Sequence, residues 1–281
     1  MKHAVSIYSA LTLLFVALLA VSGSLGGVVS DVIYISSFLL PVAIGLFLHR
    51  ELKRGREEER GLAEPEWYGL SLGGSEAVDL AIIAPAVIGV IFLFAALTSL
   101  VLTALGATDV PIQREHFLIM LLRHAILPAI LEELLFRFLP MKLIAPYSRR
   151  WCIILSALFF ALIHQSFFRM PYALIAGFIF IAIDIVSDSI LPSVILHFLN
   201  NTLSLVWICY CGELGARRIF LIALSAAALI SLLLFILLRR ERLQGYLAIL
   251  KSERTTGGEI GRGPIAVVAV CLLSALLMLL G

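Results

Sequence analysis

Charge is what this sequence has least of. Asp, Glu, Lys and Arg make up only 14% of its 281 residues, against about 25% in a soluble domain. With 61% hydrophobic residues and a mean hydropathy of +1.06, the chain reads as an all-α, polytopic membrane protein. Cysteine is also scarce. Cys152, Cys209, Cys211 and Cys271 lie in or beside apolar runs and form no CxxC pair, which argues against a disulfide framework and a cysteine zinc site. No HExxH occurs, and no internal repeat of the kind that marks secondary transporters. Nothing resembles a nucleic-acid module, and the net charge of +2 points to no acidic partner.

What is present is a series of long apolar runs. A spanning helix needs about 20 apolar residues. Nine candidates are 4–24, 27–48, 80–106, 116–140, 151–168, 171–187, 190–211, 216–238 and 264–280. The expected architecture is a bundle of eight to nine spans with a four-helix catalytic core, helices 4–7. Its three parts are 1–110, 111–212 and 213–281. The last run is barely long enough to cross. The first resembles a signal peptide at its ends, but its length and the span that follows favour an uncleaved helix.

Loop charges set an orientation. With the N-terminus cytoplasmic, the inner segments hold fifteen Lys and Arg, among them Arg50, Lys53, Arg54, Arg149, Arg239 and Arg242. The outer loops hold four: Arg114, Arg169, Arg217 and Arg218. The positive-inside rule thus places the N-terminus inside; the expected location is multi-pass in a bacterial-type cytoplasmic membrane, with the bilayer as its first partner. The charged run Arg50–Arg60 reads as a solvated helix end. Residues 61–79 read as a loop with Trp67 and Tyr68 as interface anchors, and 251–263 as a flexible linker.

Against that background, Leu127–Pro140 stands out. It carries Glu132, Glu133 and Arg137 inside an apolar run. Each charge costs roughly 2.5–3.5 kcal/mol at the centre of a span, so function is the default explanation. Helix 5 carries Phe160 and His164; helix 7 carries His197, Asn200 and Asn201. At about 1.5 Å per residue, Glu132, His164, His197 and Asn201 lie roughly 12, 20, 10 and 16 Å above the inner ends of their helices. Three polar clusters thus share a depth range.

Spacing assigns faces. His197 and Asn201 are i, i+4 and share one face of helix 7, and Glu133 and Arg137 have the separation of an intrahelical ion pair. Glu132 and Glu133 point about 100° apart. If Arg137 neutralises Glu133, Glu132 is free to face a cavity. A carboxylate beside a histidine can deprotonate a water, and a histidine with an amide can donate to an oxyanion. Bland readings exist for each. Glu133–Arg137 can be a structural pair, His164 an interhelical hydrogen-bonding group, Asn200 and Phe160 packing. Arg123 can reach the outer interface, and Asp184 can cap or pair across helices. Pro128 is expected to kink helix 4 just before the carboxylates.

The pattern resembles the CPBP (CAAX protease and bacteriocin-processing, or Abi) family of intramembrane proteases. Its EExxxR, FxxxH and HxxxN motifs stand here as Glu132-Glu133-x-x-x-Arg137, Phe160-x-x-x-His164 and His197-x-x-x-Asn201. The resemblance covers roughly 116–205. It implies an endopeptidase acting on a membrane-associated peptide or protein, with Glu132 and His164 activating water and His197 and Asn201 forming the oxyanion site. Glu133 and Arg137 would shape that site. It implies a metal-free glutamate mechanism or, alternatively, a zinc site on Glu132, His164 and His197. The rival readings are a non-catalytic immunity or scaffolding protein and, behind it, a transporter with a proton relay.

Overall fold

A computed structural model describes residues 1–60, 69–108, 115–251 and 261–280. Among them there are ten helices and no strand. These are α1 (Lys2–Gly23), α2 (Gly27–Arg60), α3 (Gly74–Ala104), a broken α4 from Phe117 to Leu143, α5 (Arg149–Leu162), α6 (Met170–Ser187), α7 (Leu191–Tyr210), α8 (Leu214–Leu238), α9 (Arg240–Lys251) and α10 (Gly263–Leu280). Six have the length and apolarity to cross a bilayer: α1, α2, α3, α6, α7 and α8. The chain is an integral, multi-pass helical bundle.

Contacts at the turns show the threading. At the far end, Ser22 of α1 bonds Ser30 of α2, and Arg123 of α4 meets Asp31 of α2 at 3.1 Å. At the Met1 end, Gly69 bonds the α6–α7 turn at Asp188, and Arg149 of α5 donates to Ile249 of α9. Successive long helices therefore run antiparallel, and the α4–α7 core is wedged between α1–α2 on one side and α3–α8 on the other.

Several boundaries differ from the sequence expectation. α2 runs on past the apolar span ending at 48 and through the charged run to Arg60, in keeping with the reading of that run as a helix end, because Glu and Lys are good helix formers and Lys53 and Glu57 pair at i, i+4. α3 starts at Gly74, not 80. The expected loop anchors Trp67 and Tyr68 lie outside the described residues, as does 252–260 of the expected linker. The stretch before that linker folds as α9. Arg242 there bonds Asp79 and Glu76 of α3, Arg239 pairs with Asp79 at 2.9 Å, and the Tyr246 hydroxyl donates to Asp79 at 2.5 Å.

The largest correction concerns helix 5, expected over 151–168. α5 ends at Leu162, because Gln165 takes up left-handed backbone (φ 48°) and stops the helix. His164 therefore sits on the turn just past the helix, not within it. The start of α5 is fixed by Ser148, whose side chain caps the Trp151 N–H. α5 and α6 approach so closely that a Cβ on Gly177 would lie 2.9 Å from the Ala157 Cα.

An aromatic pile joins four helices behind the core. Tyr8 stacks on Phe159 (5.3 Å between centroids), Phe15 meets Phe38 (4.5 Å) and Phe136 (5.7 Å), and Phe136 meets Phe160 (6.1 Å). Such pairs contribute about 0.5–1.5 kcal/mol each beyond their buried area. They hold α4 and α5 rigidly against α1 and α2. The outward faces of α3 and α8 remain apolar and open, with Leu97, Leu100, Leu229 and Leu233 among their exposed side chains, as lipid contact requires.

Candidate active site

The site begins with two prolines. Pro128 and Pro140 have no N–H, so each removes one i→i−4 bond from α4. The chain answers with a π turn before each. Leu122–Ile126 ends with the Leu127 N–H bonded to the Leu122 carbonyl, and Leu134–Phe138 ends with the Leu139 N–H bonded to the Leu134 carbonyl. Between them lies a short α segment, Leu127–Glu133. One kink was expected, at Pro128; the second π turn comes from Pro140. π turns in helices occur frequently at functional sites. The Phe136 carbonyl, which Pro140 cannot serve, accepts the Ser156 hydroxyl of α5.

The two glutamates end up in different surroundings. Glu133 is fully buried. Its Oε1 lies 2.7 Å from His197 Nδ1 of α7, and its Oε2 lies 3.3 Å from Arg137 Nε. The Arg137 contact is an ion pair without hydrogen-bond alignment; among the described residues its Nη1 and Nη2 have no hydrogen-bond partner. Arg137 is instead sandwiched by rings, its guanidinium 4.1 Å above Phe160 and 5.7 Å from Phe180. Glu132 points elsewhere. Its Oε2 is buried, has no hydrogen-bond partner among the described residues, and faces His197 Nε2 at 3.8 Å. A buried carboxylate oxygen without a partner is costly, so this is a natural place for a water.

His197 is therefore gripped from one side and open on the other. A carboxylate only accepts, so Nδ1 carries a hydrogen and donates to Glu133, which turns Nε2 toward Glu132. His164 is fixed in the same manner. Its Nδ1 lies 2.8 Å from the Phe160 carbonyl, which also only accepts, so the ring's other nitrogen keeps its lone pair when the ring is neutral. The Phe160 ring stands between the two imidazoles, edge-to-face with His164 at 5.1 Å and with His197 at 5.6 Å. It is a wall of the site.

On α7, Asn200 donates from Nδ2 to Asn201 Oδ1 at 3.4 Å. Asn201, one turn above His197 and on its face, keeps its own amide nitrogen outside that bond. At the rim, Arg123 is half exposed and held by Asp31 and by Glu115 (3.5 Å). The sequence reading missed Ser193, four residues before His197 on the same face of α7. Its backbone N–H bonds the buried Asp184 of α6 at 3.0 Å. The only signal for it was the i, i+4 spacing.

The donor set expected for zinc, Glu132, His164 and His197, is not gathered into a shell. Among the described residues no three His, Cys, Asp or Glu side chains are placed to hold a metal ion.

The chain matches no curated protein and no solved structure. Residues 114–203, which hold every side chain of the site, match the family model described as Type II CAAX prenyl endopeptidase Rce1-like, the CAAX protease family that the three motifs resemble.

Proposed function

We propose that the chain is an intramembrane endopeptidase that cleaves a membrane-associated protein with a water activated by Glu132. The observation that carries this is the unequal partnering of the adjacent glutamates. Glu133 is consumed by His197 and Arg137, while Glu132 Oε2 is buried, unpartnered and 3.8 Å from His197 Nε2. At that separation a water set to one side of the line joining the two atoms can bond both at hydrogen-bond length.

The step balances as follows. Glu132 removes a proton from the water as its oxygen attacks the scissile carbonyl carbon. The negative charge that develops on the carbonyl oxygen is met by the Asn201 amide. The C–N bond then breaks, and the proton passes from Glu132, by way of His197 Nε2, to the leaving nitrogen. The Glu133 bond at Nδ1 leaves Nε2 its lone pair, which suits His197 to this carrier role; the oxyanion contact expected of it becomes available only once Nε2 has taken up the proton. His164, whose Nδ1–H donates to the Phe160 carbonyl and so leaves Nε2 its lone pair, orients the water from the helix 5 side. Arg137 takes no part in the bonds that change; it neutralises Glu133 so that Glu133 can hold His197.

The family model supports the CAAX-type endopeptidase class and a membrane-associated substrate.

The test is cleavage by the full chain in liposomes of one CAAX-ending peptide made with and without a prenyl group. Wild type is compared with Glu132→Gln and Glu132→Ala, each with and without a strong chelator. Loss of about 10²–10⁴-fold in kcat in both variants, with no chelator effect, is expected. Cleavage that survives both variants would remove Glu132 from the mechanism. Cleavage lost to chelator and restored by zinc would replace the metal-free reading. A large prenyl dependence in KM would identify the substrate as a lipidated tail.

A further inference from the structure

Outside the three motifs, the most deeply buried carboxylate among the described residues is on α6. Asp184 of α6 has no exposed surface. Its Oδ1 accepts the backbone N–H of Ser193 at 3.0 Å, while its Oδ2 has no hydrogen-bond partner among the described residues. It lies within electrostatic reach of Glu133 and Arg137.

Its position in the fold is specific. Ser193 stands in the first turn of α7, where N–H groups have no partner within the helix. Pro192 and the Ile190 cap supply no side-chain acceptor. Asp184 therefore caps α7 from a neighbouring helix. The turn between the two is also tied down: Asp188 adopts left-handed backbone (φ 52°), Ser189 bonds the Asp184 carbonyl, and Gly69 bonds the Asp188 carbonyl and lies within 3.4 Å of the Ile190 nitrogen. Ser193, His197 and Asn201 follow at four-residue intervals, so they form one stripe along α7. A hold on Ser193 fixes the height and rotation of the other two.

We propose that Asp184 is a positioning residue that sets His197 against Glu133 and Glu132 by capping the first turn of α7 from α6. It touches neither substrate nor water and acts through the helix. A burial this complete is costly for a carboxylate, and the Ser193 N–H is the partner that offsets part of that cost. The inference rests on the reading of Glu132 and His197 above, so its test has a readout that does not need turnover.

Label the six histidines with 15N in the full chain and follow the His197 Nδ1 proton, assigned by its loss in His197→Gln. In wild type the 2.7 Å bond to Glu133 places it far downfield and slows its exchange. Asp184→Asn keeps an oxygen for the Ser193 N–H, and the His197 signal and kcat should stay within about threefold of wild type. Asp184→Ala, and Asp184→Ser should the alanine protein not fold, should shift or broaden that signal. They should lower kcat by about 10²-fold, the cost of a misplacement near 1 Å, with KM nearly unchanged. A His197 signal identical in Asp184→Ala and wild type overturns the proposal, whatever the cleavage assay shows. So does an Asp184→Asn protein as impaired as the alanine one, since charge and not the cap would then be at work. If Glu132→Gln cleaves like wild type while the His197 signal still depends on Asp184, the Glu132 mechanism falls and the cap stands.

Discussion

Replacing Arg137 with methionine should be among the most destabilising single changes at the site. The side chains of Arg137 and Glu133 are both wholly buried, and the pair is separated by 3.3 Å. Breaking a buried pair by removing one partner costs about 3–5 kcal/mol, because the remaining charge is left in a low-dielectric interior. Methionine preserves the length of the side chain, so the cavity contribution is small. It also gives up the guanidinium stacked 4.1 Å over Phe160, a contact worth up to about 2 kcal/mol when desolvated. The diagnostic is the double variant Glu133→Gln/Arg137→Met. With both charges gone, no buried ion remains, and apolar or neutral replacements of a pair are often close to neutral. Unfolding free energies would be measured in mixed micelles by titration with a denaturing detergent, followed by far-UV circular dichroism. The expected result is a loss of about 3–5 kcal/mol for Arg137→Met, of which about 2 kcal/mol or more returns in the double variant. A loss under about 1 kcal/mol, the range of a surface pair, would refute the reasoning. So would a double variant as unstable as the sum of the two singles.

Other changes probe the scaffold. Ser156→Ala leaves the Phe136 carbonyl buried without its side-chain donor and should cost about 1–3 kcal/mol in the same unfolding assay, with Ser156→Thr closer to wild type. Gly177→Leu forces side-chain atoms into the 2.9 Å gap at Ala157 and should cost about 1–3 kcal/mol, read as a lower thermal midpoint in detergent. Phe160→Ala removes the wall shared by His164, His197 and Arg137; it should cost about 3–5 kcal/mol of stability and lower kcat, whereas Phe160→Tyr should keep most of both. Gln165→Gly relieves left-handed backbone and should leave stability equal or higher by about 1 kcal/mol, while Gln165→Val should lower it.

Much of this was legible in the sequence, and the reasons differ by residue. The i, i+4 spacing of Glu133 with Arg137 and of His197 with Asn201 fixes faces whatever the tertiary packing, so these pairs were readable. The all-helical, multi-pass architecture followed from apolar run lengths. The bond between Glu133 and His197 was not legible, because it joins residues 64 apart and depends on the rotation of α4, which the π turn at Leu134–Phe138 resets. His164 was placed inside a helix because apolarity continues through it. The left-handed Gln165 that ends α5 leaves no compositional mark, since it is not glycine. The tie from Asp184 to Ser193 was invisible for a further reason: its acceptor is a side chain but its donor is backbone, and any residue except proline supplies that donor.

The two π turns have a consequence for how α4 could have changed over time. A π turn holds one residue more than a regular turn, which is about 100° of helix rotation. The stretch Leu127–Glu133 is bracketed by one such turn on each side. Its azimuth is therefore uncoupled from that of the helix above and below it, like a dial set between two fixed shafts. The flanking parts of α4 can keep their lipid-facing and core-facing residues, while the segment carrying Glu132 and Glu133 turns to suit α7. Deleting Leu122 or Leu134 would take about 100° of rotation out of its bracket and swing the carboxylates away from His197, with every side chain of the site still in the sequence.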